Sequence, residues 1–207
     1  MDSHKLIVKF FAADHSGVAQ HEFVPVFHGL IQARAVPDHL LIDVSDYAHV
    51  HHGPGILLAA HEGNFSSDTG EGRLGLLYQR KQPVAGAGDL RGRLAYVFAA
   101  ALRVCDILQR DAAFEGRLHF RTDEVVIRVN DRLLAPNTPD TYREVEPALR
   151  SFLAELYPGD DVRLEPRHSA LTLFETRSKA GSSPPVSDLL ERLEALTPSP
   201  AAQAPSR

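Results

Sequence analysis

The feature that most restricts the fold is a long, one-sided helix signal over residues 89–109. Leu90, Leu94, Val97, Phe98, Ala101, Cys105 and Leu108 recur at three- and four-residue spacing, which sets them along one helix face. Asp89 fits an N-cap, because its carboxylate accepts hydrogen bonds from the free amides of a first turn. A helix with one apolar stripe must bury it against a second layer. The flanking segments are short, β-prone apolar runs, so that layer is expected to be a sheet.

Strands are expected at residues 6–11, 40–44, 56–60 and 74–78, the last two pairing as an antiparallel hairpin. Residues 118–121 and 125–129 follow, joined by a turn at Thr122-Asp123-Glu124, and Leu133-Leu134 reads as a short third strand. Residues 162–164 and 171–174 supply closing strands. A second amphipathic helix is expected over 22–34, with Pro25 in its first turn. A third opens at Thr138-Pro139 and contains Pro147, which is expected to kink or restart it, because proline removes a hydrogen bond and clashes with the preceding turn.

These elements predict an α+β fold, a mostly antiparallel sheet with helices packed on it. From Leu74 onward the expected order is β-α-β-β-α-β, which makes the C-terminal half ferredoxin-like in element order. The alternative is one continuous mixed sheet with helices on one face. Residues 1–178 read as a single α+β domain, with a candidate sub-boundary in the PVAGAG run at 83–88. Residues 179–185 read as a linker, 186–196 as an amphipathic helix and 197–207 as a disordered tail.

Twenty-two basic and 27 acidic residues leave a net charge of −5. No nucleic-acid partner is expected, because that needs a clustered basic surface. The single cysteine, Cys105, rules out an internal disulfide and any multi-cysteine metal centre, and its place on the helix stripe makes it a small core residue. No apolar run approaches the roughly 20 residues needed to cross a bilayer, so no membrane partner is expected. The first residues, MDSHKLIVKFFAAD, lack the pattern of a signal peptide, and a cytoplasmic location is expected. The partner left open is a second copy of the chain, joined through the C-terminal helix or a sheet edge.

Chemistry concentrates in residues 49–68, HVHHGPGILLAAHEGNFSSD, which hold four of the 11 histidines. His49, His51, His52 and His61 are the candidate metal ligands. On an extended backbone His49 and His51 point to one side and His52 to the other. If the Gly53-Pro54-Gly55 turn folds the first segment back on the strand, three imidazoles meet, a set that suits a divalent metal with an open position. His61, Glu62 and Asp68 are the candidate acid–base groups. His61-Glu62 begins an HExxH pattern that fails at its fifth residue, Phe65. No G-x-S-x-G elbow and no phosphate-binding loop accompanies the Gly-Pro-Gly turn. The function expected is a small-ligand or metal-binding domain with its site at 49–68. The alternative is a non-catalytic homo-oligomeric assembly module.

The stretch VHHGPGILLAAHE, with GRLGLLYQRKQ and FRTDEVVIRVNDRLLAPNT further on, resembles a bacterial family that carries an HGPGxxLxxHE signature. The resemblance extends to about Phe174. It implies a bacterial source and one shared architecture, and it transfers no activity, cofactor or catalytic residue.

Overall fold

The structure is a computed structural model that describes residues 3–14, 16–51, 53–84, 86 and 88–196. Among them, eight strands form one sheet and four α-helices pack on it. The strands are β1 (Leu6–Ala12), β2 (Leu41–Tyr47), β3 (Gly55–Ala60), β4 (Gly63–Asp68), β5 (Gly75–Arg80), β6 (Phe120–Val129), β7 (Arg163–Pro166) and β8 (Phe174–Lys179). The helices are α1 (Phe23–Ala33), α2 (Leu90–Arg110), α3 (Pro139–Leu156) and α4 (Val186–Leu196). The sheet order is β2-β3-β4-β5-β1-β6-β8-β7, and every neighbouring pair is antiparallel.

β1 lies near the middle of the sheet, and all seven of its residues are buried. Leu6, Val8 and Phe10 join the core under the helices. Ile7, Lys9 and Phe11 alternate onto the opposite face. The helices occupy one face only. Asp89 caps α2, its carboxylate accepting from Gly92 N at 2.8 Å. Phe98 on α2 then meets Phe10 edge-on at 5.6 Å and Phe152 of α3 at 4.9 Å. α4 lays Val186, Leu189 and Leu193 into the same core, and Arg192 donates to the carbonyl of Leu156 at the end of α3. The apolar stripe that left α4 open to a partner is therefore used within its own chain. The 197–207 tail lies outside the described residues.

Several expectations are corrected. β3 pairs with β4, not with β5, because GNFSSD is itself a strand inserted between them. The expected turn at Thr122-Asp123-Glu124 is the middle of one ten-residue strand. Its polar side chains find partners there. Glu124 accepts from Arg73 and Arg177, and the hydroxyl of Thr122 donates to the Pro184 carbonyl. With one long strand in place of a hairpin, the order from β5 is β-α-β-α-β-β, not the ferredoxin-like one. Leu133 and Leu134 lie in a loop and are exposed. α3 continues through Pro147 as one helix. The segment 83–88 joins β5 to α2, both of which pack on β1, so one sheet and one core run across it.

Candidate functional site

Residues 49–68 become the end of one hairpin loop, a strand, a two-residue turn and a second strand. Tyr47 pairs with Gly55, so residues 48–54 close as a loop at one end of β3. His49 and His51 stand exposed in that loop. His61 and Glu62 form the turn between β3 and β4, at the other end. Six strand residues at about 3.3 Å each separate the two groups by about 20 Å. Folding the histidines back along the strand is prevented because β2 already occupies that edge of β3. His52 lies outside the described residues. Among the described residues, no group of three or more His, Cys, Asp or Glu side chains is placed to hold a metal ion.

Glu62 has a local structural job. Its carboxylate accepts from Leu40 N at 2.7 Å, and its carbonyl accepts from the amides of Lys81 and Gln82. Burial would raise its pKa, but the backbone donors and the nearby His39 and His61 draw it below the ordinary carboxylate value. Asp68 is placed differently. It ends β4 on the helix-free face, where its Oδ1 accepts from Lys9 Nζ at 2.5 Å and from Gly70 N at 3.0 Å.

Lys9 is 1% exposed at the centre of that face. Its ammonium donates to Asp68, to the Gly70 carbonyl at 3.0 Å and to the Arg73 carbonyl at 2.9 Å. All three protons are thereby engaged. Burial lowers its pKa, and Asp68 offsets part of that. With every proton held, the amine is a clamp and not a nucleophile. It ties the β4–β5 loop down across β1. The loop continues over the sheet, where Glu71 pairs with Arg177 and Arg128, and Arg73 lies 3.8 Å from the Phe11 ring centre. Glu71 sits in the left-handed region at φ 65°.

Beside this clamp the open face holds a cavity of about 250 Å³. Ile7, Leu57 and Leu77 form an apolar floor on three strands. Asn64, Ser66 and Asp68 line one side at every second residue of β4, and Gln79 stands opposite Asn64 on β5. Gly53 and Pro54 close the rim. Gly55 fixes the approach of that rim. Its φ is 71°, and a Cβ there would fall 2.3 Å from the Ser67 carbonyl. Among the described residues, Asn64 Nδ2, the Gln79 amide, Ser66 Oγ and Asp68 Oδ2 make no hydrogen bond, while Asn64 Oδ1 accepts weakly from Ala60 N at 3.4 Å.

Six of the nine lining residues come from the 49–68 stretch, so the stretch that concentrates polar groups in sequence does wall the cavity. Of the residues singled out in sequence, Asp68 reaches it. His49, His51, His61 and Glu62 are not among its walls. Sequence reasoning missed Lys9, Asn64, Ser66 and Gln79. The signal for two of them is present: polar residues at 64, 66 and 68 share a face if the segment is a strand. No helix among the described residues is long and apolar enough to cross a membrane. Comparison with protein-family models, with curated proteins and with solved structures gives no match to this chain.

Proposed function

We propose that the protein binds a small polar molecule in the cavity between the Gly53-Pro54 rim and the Lys9–Asp68 clamp. One observation carries the reading. Four polar side chains with unused hydrogen-bonding capacity converge over an apolar floor, whereas most fully buried side-chain polar atoms among the described residues have partners. His49, His51 and His61 are not among its walls. The test is two-dimensional NMR of the ¹⁵N-labelled protein against mixtures of small polar fragments. The side-chain amide signals of Asn64 and Gln79 are expected to move, and Ser66→Phe, which fills the floor, is expected to abolish the movement. Fragment mixtures that leave both amides in place would overturn the reading.

A second reading, assembly of two copies through a sheet edge, rests on β2. Among the described residues, four of the seven large apolar side chains that are exposed, Leu40, Ile42, Tyr47 and Val50, lie on this edge strand or beside its ends. The other edge, β7, carries Arg163, Glu165 and a proline that cannot donate. An unpaired apolar edge is self-complementary about a two-fold axis. Light scattering is expected to give twice the chain mass for the wild type and one chain mass for Ile42→Lys. A monomeric wild type counts against this reading and leaves the first untouched.

A further inference from the structure

Resting on the ligand-binding reading above, we infer that the cavity takes a neutral polyhydroxylated ring of monosaccharide size. The charge balance of the walls excludes anions. Among the described residues no cationic side chain lines the cavity, so a phosphate or carboxylate group would find no countercharge there, and the free Oδ2 of Asp68 offers it no donor. Lys9 cannot supply the missing charge, because its three protons are held by Asp68 and two carbonyls. The pair also disfavours a strongly cationic ligand, since Lys9 neutralises Asp68 before a ligand arrives.

The hydrogen-bonding pattern then selects hydroxyls. Asp68 Oδ2 only accepts. Asn64 Nδ2 donates, Ser66 Oγ and the Gln79 amide both donate and accept, and Asn64 Oδ1 is already occupied in part by Ala60 N. A hydroxyl both donates to the first and accepts from the others through one atom. Asn64, Ser66 and Asp68 repeat along β4 at about 6.8 Å, and Gln79 lies one strand away at about 4.8 Å. Several hydroxyls fixed around one ring match that two-dimensional grid. A linear diol meets only one row of it. The floor of Ile7, Leu57 and Leu77 suits the C–H face of such a ring. The volume, about 250 Å³, is on the scale of one small ring.

The experiment titrates the full-length ¹⁵N-labelled protein with glucose and ribose at millimolar concentrations, and separately with inorganic phosphate and with acetate. The Asn64 and Gln79 side-chain amides are expected to shift progressively with at least one sugar and with neither anion. Asn64→Leu is expected to weaken sugar binding about tenfold, the loss of one polar contact, with dispersed spectra showing that the variant is folded. Gln79→Leu gives an independent second reading of the same wall. If phosphate or acetate moves the two amides and the sugars do not, the ligand class is wrong and the cavity remains the site. Sugars that bind equally to wild type and both variants place the ring elsewhere and overturn the inference. If neither sugars, anions nor the fragment mixtures move the amides, the inference and the site reading fall together.

Discussion

At the scale of single residues, the helix-free face depends on two that look unremarkable in sequence, Lys9 and Gly75. Gly75 lies opposite Asp68 on β5, and a Cβ there would fall 2.8 Å from Lys9 Cε and 2.5 Å from the Phe10 carbonyl. Its missing side chain is what lets the lysine stem cross β5 to reach Asp68. Lys9→Met is expected to destabilise the protein by about 3–5 kcal/mol in urea unfolding, because it leaves a half-buried carboxylate and two carbonyls without their donor. The double variant Lys9→Met, Asp68→Leu is expected to recover part of that loss. A double variant no more stable than the single one would show that the carboxylate is not the source.

A second residue sets a pH dependence. His39 Nδ1 lies 2.9 Å from the Pro37 carbonyl, so it carries the ring proton, and Nε2 accepts from Tyr78 OH at 2.7 Å. Burial lowers its pKa below the ordinary 6.5; the hydrogen bond to the Pro37 carbonyl opposes this in part, Arg80 adds to the lowering, and Glu62 and Asp38 pull weakly upward. The unfolded chain therefore binds a proton that the folded one refuses. Stability from this group is present above 6.5 and is lost as pH falls through 6.5 towards the lower folded value. Urea unfolding at pH 7.5 and pH 5.5 is expected to show lower stability at the acid value, with the difference reduced in His39→Phe. An equal difference in the variant would assign the effect to other groups.

At the scale of elements, the polar strand β4 and the loop after it do most to create the cavity. GNFSSD carries one large apolar residue, Phe65, which stacks on Tyr78 with ring centres 4.5 Å apart. Ser67 also faces inward, and its hydroxyl accepts from Ile56 N at 3.1 Å. A strand that is polar on both faces shows no apolar alternation, and that is why sequence analysis passed over it and paired its two neighbours. The β4–β5 loop is held by pairs between residues far apart in sequence, Glu71 with Arg177 and Arg73 with Glu124. Glu71→Ala is expected to loosen the loop without unfolding the sheet. Hydrogen exchange is expected to rise at Gly70 and Gly72 while β1 stays protected, and faster exchange throughout β1 would contradict a local role.

At the scale of the whole molecule, the two faces of one sheet divide the work. The helix side holds the core, and the open side holds the clamp, the charged network and the cavity. α4 belongs to the core side. A chain stopped before Val186 removes three buried aliphatic side chains at about 1.5–3 kcal/mol each. The expected result is a clearly lower urea midpoint with no loss of assembly state, and an unchanged midpoint would contradict the docking of this helix.

The sequence by itself determined the α+β class, the three main helices with their caps at Asp89 and Thr138, and the burial of Cys105. Those properties follow from periodicity and capping, which act within a few residues of the chain. Only the tertiary structure decided that β4 is a strand, that β6 is not broken, and that the histidines at the two ends of β3 stand apart. It also decided that Lys9, Asp68 and Gly75 form one unit. Each of these depends on a partner found at long range: Arg177 for Glu124, Ile56 N for Ser67, and β2 along the edge of β3. A polar side chain is assigned to a turn or to a buried strand by the group it meets, and that group lies outside any local window.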